Sequence, residues 1–367
     1  MSFLRKLFGK RKEPEVLLEA ESPLCPITTI VEQDDRVAYM YVIGGDQTDF
    51  GVKACWIRNL DVAPATIDDA APKEGEPPMQ DRKSCRYTEG QPPLRKKDLS
   101  LVWTEEGDGV ALLEGTEIIA IVPAWSGVNN FHGYARDAIG QGRFAWEIGS
   151  DNSFPERINR AKNFWGLWDT TETPFQKRQP EILDLYEKAF GKESGYYAID
   201  GGHFPPRGGT LMRGPSQSVF LTVGLSIFPQ PQIEMHVEMP ETLNRIELGL
   251  ILNNADFEGS LQGLTGWISG AASYPHDYIR FLTEGHTVNL EFPGNTNFTA
   301  AILTDRLTIF PEHGLGEYRG SVIKLLWLVP ITTAERNLAM DEGSEKLILL
   351  LEEIGKSVFA LERSSVV

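Results

Sequence analysis

Runs of β-branched and aromatic residues recur along the chain at strand length, and they predict most of its elements. Arg36–Ile43 (RVAYMYVI) and Val52–Leu60 (VKACWIRNL) read as strands. Leu99–Thr104, Val110–Glu114 and Glu117–Pro123 follow as a meander, with turns at Glu106-Gly107-Asp108-Gly109 and near Gly115. Further strands are expected at Val219–Ser226, Gln232–Met239, Arg245–Leu252, Thr287–Leu290, Thr299–Thr304, Leu307–Phe310 and Ser321–Pro330. The last passes from alternating to continuous apolar residues, as a strand does on entering a core.

Helical spacing is rarer. Phe154, Ile158, Ala161, Phe164, Trp165 and Trp168 share one face, and Ser153-Phe-Pro-Glu156 before them has capping-box spacing with proline in the first turn. Pro180–Phe190 turns Ile182, Leu185, Tyr186 and Ala189 inward and stops at Gly191. Thr332-Thr-Ala-Glu335 repeats the capping-box spacing. Ser344–Ile354 then carries Leu347, Ile348, Leu350, Leu351 and Ile354 before Gly355. Shorter helical stretches are expected at Trp267–Ile268 and Asp277–Leu282, and turn-rich chain from Gly195 to Ser218. Strands outnumber helices and the helices sit at segment ends, so the class is α+β.

A length of 367 residues exceeds what one core usually organises and predicts two mixed sheet-and-helix lobes. Residues 1–24 are assigned to a flexible basic leader and 25–175 to an N-terminal α+β domain. Residues 61–97, with Pro77-Pro78 and Pro92-Pro93, form a disordered or exposed loop within it, and 176–358 make a second domain.

Charge narrows the function classes. The chain has 35 basic and 52 acidic residues, a net of −17, and five of the bases (Arg5, Lys6, Lys10, Arg11, Lys12) precede the first acid. The remainder carries −22, which repels phosphate backbones and disfavours nucleic acid as a partner while attracting a basic one. The same charge also serves plain solubility. Met1–Lys12 is too broken by bases for a secretory signal; as an amphipathic helix it could touch an anionic membrane. Val322–Ile331, the longest apolar stretch, contains Lys324 and Pro330 and is too short to span one. Cys25, Cys55 and Cys85 form no CxxC pair and no disulfide framework, which fits reduced thiols in the cytoplasm.

No nucleotide-binding, metalloprotease or nucleophile-elbow motif is present, and no cofactor or metal is expected: the six histidines are dispersed. Trp125 to Trp146 is the densest polar–aromatic cluster. As an enzyme, a hydrolase or transferase, it would use His132 as a base oriented by Asp137, with Arg136 holding an anion. As a binding surface it would use Trp125, His132, Tyr134, Arg136, Asp137 and Trp146, whose aromatics with an arginine have hot-spot composition. As structure, glycines and aromatics pack an irregular crossing. Gly201-Gly-His203-Phe-Pro-Pro-Arg207 reads first as a rigid connector. His236, Glu238, Arg245 and Glu247 are polar residues in apolar surroundings; if two strands pair there, Arg245 with a glutamate makes a buried hydrogen-bonded ion pair that fixes strand register or domain orientation.

Two stretches resemble a known family. Leu221-Thr-Val-Gly224-Leu-Ser226, Pro229–Pro231, Glu234-Met-His and Arg245-Ile-Glu247-Leu are similar to the Suppressor of fused domain. Leu326-Trp327-Leu-Val-Pro330-Ile-Thr332 with Glu335-Arg336 and Gly343-Ser344 resembles its closing motif. The resemblance spans roughly Glu193 to Glu353. It implies an α+β Suppressor-of-fused-like C-terminal domain in a bacterial member, with Gly224, Ser226, Arg245, Glu247, Trp327, Pro330 and Glu335 as structural motif residues. It also implies protein binding without enzymatic activity: capture of an extended peptide between lobes in animals, and immunity to a toxin partner in bacteria.

Overall fold

A computed structural model of the chain describes residues 14–68, 70, 76–149, 154–258, 261–294, 296–311 and 314–367, without the Gln262 side chain. The chain divides into two compact units, Met1–Gly166 and Leu167–Val367, so the boundary falls before 175.

In the first unit, β1 (Glu15–Glu21), β2 (Ile27–Gln33), β3 (Val37–Gly44) and β4 (Val52–Asn59) make an antiparallel sheet in sequence order. β2 buries Ile27, Thr29, Val31 and Gln33 alternately, as a strand with one covered face must. β1 corrects the expectation of a leader to residue 24. Its glutamates hide a strand whose ladder runs from Glu15 opposite Gln33 to Glu21 opposite Thr28.

A second sheet runs in the order β5 (Leu99–Trp103), β6 (Val110–Glu114), β7 (Glu117–Val122), β8 (Tyr134–Ala135) and β9 (Trp146–Glu147). Helix α1 (Phe154–Gly166) packs Phe154, Ile158 and Ala161 with Val102, Ala111, Leu113 and Ile121, and Trp165 Nε1 donates to the Trp103 carbonyl at 2.9 Å. Its expected cap, Ser153, lies outside the described residues. The 61–97 loop is irregular, but its described residues are pinned and not free. Tyr39 Oη donates to the Pro78 carbonyl at 2.7 Å, Asn59 makes two bonds to the Gln80 backbone, and Gln33 makes two to Leu94.

The second unit begins with α2 (Pro174–Phe190). It starts earlier than its apolar face suggests, because Thr173 and Gln176 complete a reciprocal capping box. One mixed sheet follows: β10 (Glu193–Ala198), β11 (Gly208–Arg213), β12 (Gln217–Val223), β13 (Arg245–Asn253), β14 (Thr287–Val288), β15 (Phe298–Thr304), β16 (Glu317–Tyr318) and β17 (Ser321–Thr332). Its order is β10-β11-β12-β13-β17-β15-β14, with β16 on β17, and among the described residues of this sheet only β13 and β17 pair in parallel. Helices α3 (Asn254–Glu258) and α4 (Leu261–Asp277) lie between β13 and β14, and α5 (Thr333–Glu342) and α6 (Ser344–Glu353) follow β17.

The sheet is covered on both faces. Phe257, Leu264, Trp267 and Ile268 pack with Leu248, Leu250, Leu326 and Leu328 on one side. Ile182, Tyr186, Leu347 and Leu351 pack with Ile251, Leu325, Trp327 and Val329 on the other. Burial on both faces is why β17 reads as a continuous apolar run.

Several expectations differ, first among them the turn-rich stretch from Gly195 to Ser218, which holds most of β10 and all of β11. Gln232–Met239 is not a strand: Gln232 has φ 58°, outside the extended region, and a 3-10 turn occupies Ile233–Met235. Leu307–Phe310 closes as a turn, with Phe310 N–H on the Leu307 carbonyl at 2.9 Å. The helix around Trp267 is long and ends at Asp277, so 278–282 is not helical.

Candidate functional site

The 125–146 cluster is built largely of rings that face one another. Trp125 stands edge-on to Phe154 at 5.3 Å, and Phe131 sits 4.8 Å from both Tyr134 and Trp146. Tyr134 and Trp146 are partners in the parallel β8–β9 pair. Next to Tyr134, Gly133 has φ 140°, and a Cβ there would lie 2.6 Å from the Ile121 carbonyl and 2.9 Å from Cys55 Sγ, so only glycine fits.

The structure separates the residues an enzyme would combine. His132 is half-buried beside Phe144; burial pushes its pKa down, opposed by a hydrogen bond with the Ala54 backbone. Asp137 is 2% exposed and turned to two arginines instead, 2.8 Å from Arg136 Nε and 3.5 Å from Arg58 Nε. Arg136 also meets Glu117 at 2.8 Å, and Arg58 meets Glu114 at 2.7 Å. No hydrogen bond joins His132 to Asp137, which corrects the base-and-orienter expectation. A recess of about 530 Å³ lies beside this network, lined also by Tyr87, Pro92, Pro93 and Arg95.

In the second unit, Asp200 ties the Gly201–Arg207 loop by accepting from the Gly202 N–H at 2.8 Å and the Arg207 N–H at 3.0 Å. Phe204 stands edge-on to Trp168 and Phe228.

The motif residues form a knot beyond β12. Gly224 has φ 98°, and a Cβ would meet the Phe175 ring at 2.6 Å. The turn it opens, Leu225–Ile227, is held from two sides by neighbours on β13. Glu247, fully buried, accepts from Thr222 Oγ1 and Ser226 Oγ at 2.6 Å, Gly224 N at 3.1 Å and Ser226 N at 3.0 Å. Burial pushes its carboxyl up, and these four donors pull against that shift. Arg245 serves the carbonyls: Nη1 donates to Ser226 at 2.9 Å and Ile227 at 2.5 Å. Its guanidinium lies 5.1 Å from the Tyr318 ring, with Arg178 at 5.3 Å from the same ring. Arg245 and Glu247 therefore act as a joint clamp on one turn.

The closing motif is equally committed. Trp327 stacks on Phe310 at 5.0 Å and meets Phe190 edge-on. Pro330 lies opposite Ala301. Glu335 is fully buried and completes a capping box with Thr332. It also takes both Nη atoms of Arg363, at 2.6 and 3.0 Å, and the Val366 N–H at 2.9 Å. Thr-x-x-Glu spacing made Glu335 legible; nothing local announces Arg363, Arg178 or Tyr318 as partners.

Glu335 sets a pH dependence. Burial pushes its carboxyl up, but hydrogen bonds from Arg363 and the Thr332 N–H, with the guanidinium charge, outweigh that and hold it below the ordinary value. A depressed carboxylate contributes stability that is present above its unfolded pKa and is lost as pH falls through the folded one. Denaturant midpoints across the acid range should drop less steeply for Glu335→Gln than for the parent; equal slopes would contradict this assignment.

Among the described residues no group of His, Cys, Asp or Glu is arranged to hold a metal ion, and no helix is long and apolar enough to cross a membrane. Cys25, Cys55 and Cys85 are all buried. Met1–Lys12 lies outside the described residues.

The C-terminal unit is thus a three-layer domain, with helices on both faces of a mixed sheet whose centre is one parallel pair. Residues 203–364 match the family model of the Suppressor of fused protein (SUFU), and the unit is a Suppressor-of-fused-like domain. A SUFU homolog from Neisseria gonorrhoeae FA 1090 is a structural neighbour at 17% identity and TM-score 0.39, over 52% of this chain and 97% of that one. A Sufu–Fu complex gives 13% identity and TM-score 0.38, over 52% and 91%. No curated protein matches the chain.

Proposed function

We propose that the chain is a non-enzymatic protein-binding module that captures a basic partner or an extended peptide, working in the cytoplasm as an immunity-type protein against a toxin partner. The family match supports binding. The observation that carries the mode is β1. Among the described residues it pairs only with β2, it exposes Glu15, Glu19 and Glu21, and its Val16 is 51% exposed. A free edge offers backbone donors and acceptors to an added strand, and its carboxylates favour a cationic one. Arg136 and Asp137 of the 125–146 cluster are held in ion pairs, and the polar groups of the 224–227 turn are bonded to Arg245 and Glu247, which supports binding over chemistry.

The test is a pull-down from the source cell with the parent and a variant carrying Glu15→Lys, Glu19→Lys and Glu21→Lys. The parent should retain a partner whose association slows with salt, and the variant's on-rate should fall about tenfold or more. No retained protein above background, or equal on-rates, would sink the reading. Co-expression with a toxin encoded beside the gene tests the immunity role: the parent should restore growth.

A further inference from the structure

The sheet of the second unit forks at its parallel pair. β13 and β17 run together from Arg245 and Ile323 to Gly249 and Trp327. Beyond that point β13 stays with β12 to Asn253, and β17 stays with β15 to Thr332. Among the described residues no strand takes the far edge of β17 past Trp327.

The chain after α6 crosses this fork. Val358 and Phe359 are buried, and the Leu361 N–H reaches Asp256 Oδ2, just past β13, at 3.3 Å. Arg363 Nη2 donates to the Pro330 carbonyl of β17 at 2.8 Å, and its guanidinium covers Phe298 at 4.8 Å. On the β17 side the hold converges on Glu335, through the Arg363 fork and the Val366 N–H. Glu362, Ser364, Ser365 and Val367 are exposed, and a recess of about 530 Å³ is lined by both Arg363–Val366 and α6. The segment is held mainly at polar points: Leu361 and Val366 pack against the two cores, and between them Glu362, Ser364 and Ser365 are exposed.

We propose that residues 360–367 are a releasable strap, which opens while the rest of the second unit stays folded and uncovers the β17 edge from Leu328 to Thr332. Segments with few buried apolar contacts open at lower free energy than core strands, and an uncovered strand edge accepts another strand. The Glu335 carboxylate is the latch, because it alone gathers the Arg363 and Val366 donors.

Amide hydrogen exchange on the full chain tests this. In the parent, Leu361 and Val366 should exchange about 100-fold or more faster than Leu250 in central β13. Glu335→Gln should speed Leu361, Val366 and Thr332 about tenfold further and leave Leu250 unchanged. Arg363→Lys, which keeps the charge and loses the fork, is the milder second variant and should show the same pattern at smaller size. Exchange of Val366 at the rate of Leu250 in the parent would overturn the proposal. So would a variant that accelerates all four amides equally.

Discussion

Replacing Glu247 with Leu is expected to destabilise the second unit by roughly 3–5 kcal/mol, the cost of removing one partner from a buried charged network. The change keeps volume and removes the acceptor for two hydroxyls and two backbone N–H groups, leaving the Gly224 and Ser226 amides buried without a partner. It also leaves Arg245 holding the carbonyl side of a turn that has lost its other clamp. Glu247→Gln should fall between, since its amide nitrogen faces donors. Urea unfolding, with the first unit's transition as internal reference, should show only the second transition moving. A shift below about 1 kcal/mol would mean the turn needs no carboxylate. The pH sense opposes that of Glu335. Because burial raises Glu247, its contribution is present below the unfolded pKa and is lost as pH rises through the folded one.

Trp327→Ala should cost about 3–5 kcal/mol, as expected for emptying a fully buried indole site. The ring is 1% exposed, stacks on Phe310 and lies over Gly249, where an added Cβ would approach it to 2.6 Å. Gly249→Ala alone is therefore overpacked in the parent and relieved once the indole is gone. In the double variant the two losses should not add: the combined destabilisation should fall short of their sum by at least about 1 kcal/mol. Strict additivity would show that the two positions do not sense each other.

Strands were legible where one face or both are buried by β-branched residues. β3, β4, β5, β6, β7, β13, β15 and β17 fall within a residue or two of where their patterns place them. β10 (ESGYYA) and β11 (GGTLMR) were hidden because their glycines read as turns. In the sheet Gly208 and Gly209 make room for the rings of Tyr196 and Phe220. β1 was hidden by its charges, which an edge strand tolerates. The polar pair Arg245 and Glu247 stood out against apolar neighbours, but its shared target could not be read, because the 224–227 turn reaches it only through tertiary pairing. Likewise, Asp137 lies five positions after His132, yet the adjacent Arg136 takes it at 2.8 Å, with Arg58 from another strand at 3.5 Å.

The parallel pairing of β13 with β17 has a consequence for biogenesis. Residues 245–249 and 323–327 become neighbours across a gap of about eighty positions, and such distant closure slows the search for the native arrangement. While the ribosome is still making the intervening stretch, the apolar flank of β13 has no permanent cover. A nascent chain paused there should therefore be more dependent on chaperones than one released a hundred residues later.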